Sequence, residues 1–290
     1  MTTVEIRIQN MYMQLNNSEK MVADYILKDI ENIFRFPLAK LAGQSGTSQG
    51  AWVRFCKTIG FDGMKDLKKS IFSELNGVII ESESSSPQLQ FTDIKEHSTY
   101  ISMAENVCIS STQAIESTLK LFDEAMLAKI VDAIIGARSI RIFGVGASGL
   151  VADDFYYKLL RIGYNATFSH DTHISLTYAS TMAKNDAAVF ISNTGETKEI
   201  MDALEIAQKN EATTIAITRY GKSHLALSAD FVLFTSSPEI YKRSGAMSSR
   251  IAQLTLTDII FTAIANRDYH NVESRLEGSY QATHIHRDSD

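Results

Sequence analysis

The sequence predicts a doubly wound, parallel five-stranded α/β sheet preceded by an all-α helix-turn-helix domain. Three observations carry this expectation. The stretch 186–200 reads as a buried strand, a hydroxyl-rich turn and the start of a helix. A continuous apolar run bounded by polar turn residues fits a central parallel strand. The stretch 140–149, Ile-Arg-Ile-Phe-Gly-Val-Gly-Ala-Ser-Gly, repeats the same strand, turn and helix start. From there onward strands and helices alternate, as they do in doubly wound sheets.

At 290 residues and 44% hydrophobic, the chain is long enough for two compact domains with real cores. The boundaries expected are 1–76 for the helical domain, 77–95 for a linker, 96–270 for the α/β domain and 271–290 for a polar, frayed tail. No charged-plus-apolar leader is present and no apolar run approaches membrane-spanning length, so a cytoplasmic protein with no membrane partner is expected. Cys56 and Cys108 lie in apolar helical patterns and are expected as two buried thiols. The net charge of −6 weighs against nucleic-acid binding by the chain as a whole. Its distribution is uneven, +2 over residues 1–76 and −8 over residues 77–290, so only the front of the chain suits DNA.

Taken in order, the chain first offers Ser18 as the N-cap of a helix with Met21, Val22, Tyr25, Ile26 and Ile30 at helical spacing. A second short helix follows Pro37, with Leu38, Leu41 and Ala42 as its apolar face. The glycine-containing turn at 43–47 opens into a third helix that begins at Ser48 and is closed by Gly60. Two short helices joined in this way suggest helix-turn-helix, with the second helix in the major groove. Ser48, Gln49 and Gly50 then meet bases or phosphates, and Arg54 and Lys57 meet phosphates. Val53, Phe55 or Cys56, and Ile59 face the core. Trp52 stays among the candidate DNA contacts, although a core position with a partner for its indole N–H suits it better. A small helical bundle with no DNA role fits the same spacing. A helix over 64–75 with Lys65, Lys68 and Lys69 completes the domain, and the acidic, serine-rich 77–95 marks the linker.

A helical region over 96–137 leads into the first strand at Ile140. Further strands are expected at 165–168, 187–191, 213–218 and 230–234, and a last long helix at 247–266. The two hydroxyl-bearing turns are the candidate site. Gly195 lets backbone approach a ligand, Ser192, Thr194 and Thr197 surround it, and the following helix aims N–H groups and its positive dipole end into the same space. Gly146, Ala147 and Ser148 form the companion turn. The result is a phosphate cradle without a lysine, unlike the Gly-Lys-Ser/Thr loop of nucleotide hydrolases, so no ATP site is expected. A single turn of this kind is routinely a set of helix caps. Two of them are what one ligand in the crevice at neighbouring strand ends requires. Asp171, His173, Lys242 and Arg243 are candidates for sugar hydroxyls or the phosphate. Their alternatives are a helix cap, a solvated turn residue and a surface basic pair. His284 and His286 sit in the expected tail, and no metal site or cofactor is expected.

Both halves resemble one family. The pattern Leu41-Ala42, Ser48, Val53-Arg54-Phe55-Cys56-Lys57 and Gly60-Phe61 resembles the helix-turn-helix domain of RpiR-type bacterial transcription regulators. The segment from Ile140 to about Asn266 resembles the sugar isomerase (SIS) domain those regulators carry. Its motifs here are Gly144-Val-Gly-Ala-Ser148, Ile191-Ser-Asn-Thr-Gly-Glu-Thr-Lys-Glu199 and the run from Arg243 to Gln253. The resemblance implies a homodimeric or homotetrameric regulator that binds operator DNA and a phosphorylated sugar. Ser148, Ser192, Thr194 and Thr197 match the family's phosphate-holding hydroxyls. The branch implied senses 6-phosphates of N-acetylmuramic acid, N-acetylmannosamine or N-acetylglucosamine. Gly50 and Ala51 stand where the family often has Ala and Ser/Thr, and Trp52 replaces Val or Ile. Gly50 costs about 1 kcal/mol of helix propensity relative to Ala, and Ala51 lacks a hydroxyl that could reach a phosphate.

The expected mechanism is a repressor switch in which sugar phosphate shifts the spacing of two DNA-reading helices, whose half-sites lie about 34 Å apart. The rival is an aldose–ketose sugar-phosphate isomerase, for which Glu196, Glu199, His173 and Glu239 are available as a base. The N-terminal helix-turn-helix favours the regulator. A binding module without DNA activity is a third reading.

Overall fold

A computed structural model of the chain describes residues 2–30, 32–75, 99–239 and 245–284. The linker at 77–95, Lys242, Arg243 and His286 lie outside the described residues. The chain divides into two compact units.

The N-terminal unit is helical: α1 (Thr3–Met11), α2 (Asn17–Lys28), the single turn α3 (Asn32–Arg35), α4 (Leu38–Gln44), α5 (Gln49–Thr58) and α6 (Met64–Leu75). Asn16, not Ser18, caps α2. Its side chain accepts from Glu19 N–H, and the Glu19 carboxylate accepts from Asn16 N–H. This Asn-x-x-Glu capping box satisfies two end donors at once, which Ser18 cannot match from the second helical position. Glu19 then uses its other oxygen to accept from the Thr58 hydroxyl at 2.7 Å, tying α2 to the end of α5. Val22, Ile26, Leu41, Trp52, Phe55, Cys56, Ile59 and Leu67 are all buried in one core. Burial pushes the Cys56 thiol up to about 12, which leaves it unreactive. Cys108 departs from expectation and is exposed.

The C-terminal unit opens with two helices where one helical region was expected, α7 (Tyr100–Lys120) and α8 (Glu124–Gly136), because the Asp123 side chain caps α8 by accepting from Met126 N–H. There follow β1 (Ile140–Gly144), α9 (Ala147–Arg161), β2 (Ala166–Thr167), α10 (Thr172–Ser180), β3 (Ala187–Ile191), α11 (Lys198–Lys209), β4 (Thr213–Arg219), α12 (His224–Ser228), β5 (Phe231–Thr235), α13 (Ser248–Arg267) and α14 (Tyr269–His284). All strand pairs are parallel, in the order β2-β1-β3-β4-β5. The sheet is therefore doubly wound, with the order of strand addition reversing between β1 and β3.

Period-two alternation splits each strand between two helix layers. Val189 and Ile191 face α8, α9 and α13, while Ala188 and Phe190 face α10 and α11, with Phe190 stacked on Phe143. All five residues of β3 are buried, as a central strand requires. The expected tail at 271–290 is corrected: its polar composition conceals α14, which continues to His284. Val272 is buried against the sheet unit and Arg275 donates to Ile162 O at 2.8 Å, so tertiary contacts hold a helix that composition alone would not.

Asp186, just ahead of β3, is an electrostatic pin. Its carboxylate accepts from Arg138 in a two-pronged pair (3.0 and 2.8 Å), from the Ser139 hydroxyl and from Ala183 N–H. The Arg138 guanidinium, with those further hydrogen bonds, overcomes burial and holds the Asp186 carboxyl down at about 2. A carboxylate whose folded value is depressed contributes stability above its unfolded value and loses it as pH falls toward the folded one. The shift from 3.8 to about 2 corresponds to about 2 kcal/mol. Urea midpoints of the wild type are expected to fall relative to those of Asp186→Asn as pH drops from 4 to 2. Parallel curves for the two proteins through that window would remove Asp186 from this role.

Candidate functional site

The site is built where β1 and β3 end side by side. Gly144 pairs with Ile191, so both strands deliver their following turns at one edge of the sheet. After β1 the backbone passes through Gly146 at φ +59, ψ −126, a conformation open to glycine, and enters α9 at Ala147. Ser148 occupies the first turn of α9, buried, with its hydroxyl donating to Gln253 Oε1 on α13 at 3.1 Å.

After β3 the chain turns over 192–197 and enters α11 with Thr197 as its N-terminal flanking residue. Ser192 is buried, and its Oγ accepts from Gly195 N–H at 3.2 Å and lies 3.3 Å from the Thr197 hydroxyl. Thr194 is exposed and accepts from Glu196 N–H. Gly195 sits at φ +65, and a Cβ there would lie 2.2 Å from Ser223 Oγ. Its glycine requirement thus comes from packing beneath the turn as well as from the left-handed backbone. The turn carrying Ser192 and Thr197 and the turn into α9 follow neighbouring strand ends, at the topological switch point of the sheet. Helix starts expose N–H groups that helical bonding leaves over, and an anion satisfies them.

Other candidates are placed differently. Asp171 caps α10, accepting from His173 N–H (2.8 Å) and Ile174 N–H (3.1 Å), so its carboxylate is committed to the helix. His173 is exposed in the first turn of α10. His170 lies against the first turn of α9: its Nδ1 would lie 3.6 Å from a Cβ at Gly149, and its ring packs edge-on against Phe168. Arg243 falls outside the described residues. Glu196 is bound to the start of α12: it accepts from His224 N–H and contacts the His224 ring. Burial raises its carboxyl, the His224 hydrogen bonds lower it, and the net effect is downward.

Sequence reasoning passed over Gln253 and Ser223. Gln253 was the one uncharged amide in an otherwise apolar or hydroxyl helix face, and Ser223 announces itself only through the space Gly195 leaves.

In the helical unit, Ser48 caps α5 by accepting from Ala51 N–H at 3.2 Å. Gln49, Gly50, Val53, Arg54 and Lys57 are exposed and recur at helical spacing, one stripe along α5. Trp52 is removed from the candidate DNA contacts. It is fully buried, its indole N–H donates to Ser45 Oγ at 3.0 Å, and it meets Tyr25 edge-on. Val53 is 40% exposed and takes the outward place that the core assignment denied it. Ala51 is buried as well, so a hydroxyl there would not reach a phosphate.

A family model described as "Helix-turn-helix domain, rpiR family" matches residues 2–77, and a model of the SIS domain matches residues 133–263. An uncharacterised HTH-type transcriptional regulator of Caldanaerobacter subterraneus subsp. tengcongensis is 37% identical over 281 residues, covering 96% of both chains. The chain belongs to the RpiR family of transcriptional regulators. A second relative, the uncharacterised regulator YbbH of Bacillus subtilis, is 32% identical over 272 residues, or 93% of each chain. Among solved structures, the NanR protein of Vibrio vulnificus, complexed with ManNAc-6P, matches 96% of this chain and 97% of its own with a TM-score of 0.59 at 24% identity. The sugar isomerase domain of an RpiR transcription factor from Sphaerobacter thermophilus matches 61% of this chain and 98% of its own, with a TM-score of 0.55 at 19% identity. As an RpiR-family regulator the chain joins a DNA-binding helix-turn-helix to a SIS domain of the doubly wound type described above. Among the described residues no helix is long and apolar enough to cross a membrane.

Proposed function

We propose that this RpiR-family regulator represses an amino-sugar catabolic operon and releases it when a sugar 6-phosphate binds the SIS crevice. The observation that carries the reading is the pair of turns at the β1/β3 switch point, two helix starts with Ser192 and Thr197 hydroxyls between them. That combination suits a phosphate dianion, and the remainder of the crevice suits sugar hydroxyls, with His170 beside the α9 start. The complex of NanR with ManNAc-6P supports an N-acetylhexosamine 6-phosphate as the class to try first. Gln49, Gly50, Arg54 and Lys57 are the proposed DNA-facing residues of α5, with Ser48 as cap.

A homo-oligomer is part of the same proposal. The first half of α7 carries large apolar side chains in the open, with Tyr100, Ile101, Val107 and Ile109 exposed. Helices of that composition are normally covered. A second copy is the occupant that also supplies the second reading helix of a two-half-site operator. Of the bases open to the isomerase reading, Glu196 is already engaged, because its carboxylate accepts from the His224 N–H and contacts the His224 ring.

The experiment is thermal unfolding of the full chain against N-acetylmannosamine, N-acetylglucosamine and N-acetylmuramic acid 6-phosphates, with the free sugars as controls. A ligand at 100 times its dissociation constant adds about 2.7 kcal/mol. One of the phosphates is expected to raise the midpoint and to release DNA from the promoter region of the chain's own operon, and Ser192→Ala to abolish both effects. A panel without any shift would leave the two turns as helix caps only. Sustained turnover of fructose 6-phosphate to glucose 6-phosphate would turn the reading over to the isomerase.

A further inference from the structure

The contact between Ser148 and Gln253 is made the wrong way round for an anion. The Ser148 hydroxyl donates its proton to Gln253 Oε1 at 3.1 Å. Phosphate oxygens only accept, so a Ser148 in that state offers them lone pairs against lone pairs. Gln253 is 1% exposed on α13, and its Nε2 is a buried nitrogen with no hydrogen-bond partner among the described residues. One atom of this amide is therefore idle while the other consumes the proton that a ligand would want.

A half-turn about the last side-chain torsion of Gln253 exchanges the two atoms, which are nearly the same size. Nε2–H then donates to Ser148 Oγ, and the serine proton is released to point elsewhere. We propose that Gln253 is a positioning residue for the phosphate. Its amide turns on anion binding, so that Nε2 donates to Ser148 Oγ and Ser148 donates to the phosphate. The inference rests on the phosphate reading of the crevice and names a residue on a third element that completes it. It also makes α13 a party to ligand binding, since the helix carries the group that changes state. The ligand selects the turned amide by differential affinity and needs no other contact with α13.

Gln253→Glu tests it directly, measured by titration calorimetry with N-acetylmannosamine 6-phosphate on the full chain at pH 8 and pH 5.5. A carboxylate can only accept, so it holds the Ser148 proton permanently and sets a negative charge beside the dianion. Affinity at pH 8 is expected to fall about 100-fold. The wild type should bind less tightly at pH 5.5, where the phosphate takes up a proton. The variant should bind more tightly there, because its new carboxyl, once protonated, is neutral and carries an O–H donor. Opposed pH trends are something a merely structural side chain would not produce. Should Gln253→Glu fail to fold, Gln253→Met keeps the volume and removes the donor, and affinity about tenfold weaker is expected. Unchanged affinity in either folded variant overturns the inference. If binding is lost in Ser192→Ala but untouched in Gln253→Glu, the phosphate reading stands and only the role of Gln253 falls. If the wild type binds neither this ligand nor inorganic phosphate, both fall together.

Discussion

Gly195→Ala is expected to destabilise the C-terminal unit by about 3–5 kcal/mol, the sum of a left-handed backbone that alanine resists and an overpacked turn. The glycine holds φ +65, and the new methyl carbon would lie 2.2 Å from Ser223 Oγ, 2.6 Å from Ser223 Cβ and 3.0 Å from Thr218 Oγ1. None of these neighbours can retreat. Ser223 caps α12 by accepting from Ala226 N–H, and Thr218 is fully buried in β4. Loss of the turn also disperses the Ser192 and Thr197 hydroxyls, so ligand binding should disappear along with stability. Adding Ser223→Gly to Gly195→Ala removes the two shortest contacts but neither the Thr218 contact nor the backbone strain, and should return about half of the loss. The two units are read separately, since Trp52 is the one tryptophan and reports on the helical unit alone. Circular dichroism should show an early transition while the tryptophan signal keeps its wild-type midpoint. A Gly195→Ala protein within about 1 kcal/mol of wild type would mean that the turn relaxes freely, and the cradle geometry would lose its foundation.

Trp52→Ala is expected to unfold the N-terminal unit, at a loss of about 3–5 kcal/mol. The side chain is wholly buried and lies edge-on to Tyr25 at 5.9 Å. It also anchors a small network, since Ser45 Oγ receives the indole N–H while donating to Ala42 O or meeting the Thr47 hydroxyl at 2.8 Å. That network shapes the turn between α4 and α5, so the damage is done to the helix-turn-helix geometry itself. DNA binding should vanish in this variant together with its helical signal. Arg54→Ala should weaken DNA binding with the helical signal intact and lower the salt dependence by about one phosphate contact. A Trp52→Ala protein that stayed folded and still lost DNA would return the residue to the DNA-contacting face.

Much of this was readable from sequence where one local rule decided the outcome. The five strands and their order of appearance follow from apolar runs and punctuating glycines, and both hydroxyl-bearing turns lie where those glycines put them. The errors come from places where rules compete or where a distant residue decides. Ser18 and Asn16 are both good caps, and only the reciprocal bond from Glu19 selects Asn16. Trp52 and Val53 differ by one position, a rotation of about 100° around a helix axis that periodicity over a few residues cannot resolve. Composition made residues 271–284 a tail, yet Arg275 reaches Ile162 and turns a polar stretch into α14. Gln253 stood out only as a lone amide on its helix face, and its partner, Ser148, lies on another helix. His170 was not singled out, because its approach to Gly149 depends on how β2 lies against β1.

The parallel pairing of the sheet carries a consequence for time as well as for shape. Ile140 finds its partner in Ala187, and Ala187 in turn finds Thr213, so each ladder closes only after a complete crossover has been threaded. In the helical unit many of the contacts that set the turns span only a few residues, Thr2 to Glu5, Asn16 to Glu19 and Ser45 to Trp52. Short-range contacts form quickly and long-range parallel ladders slowly, and the helical unit also leaves the ribosome first. A newly made chain therefore completes its helix-turn-helix unit while the sheet of its SIS unit is still being laid down, strand by strand.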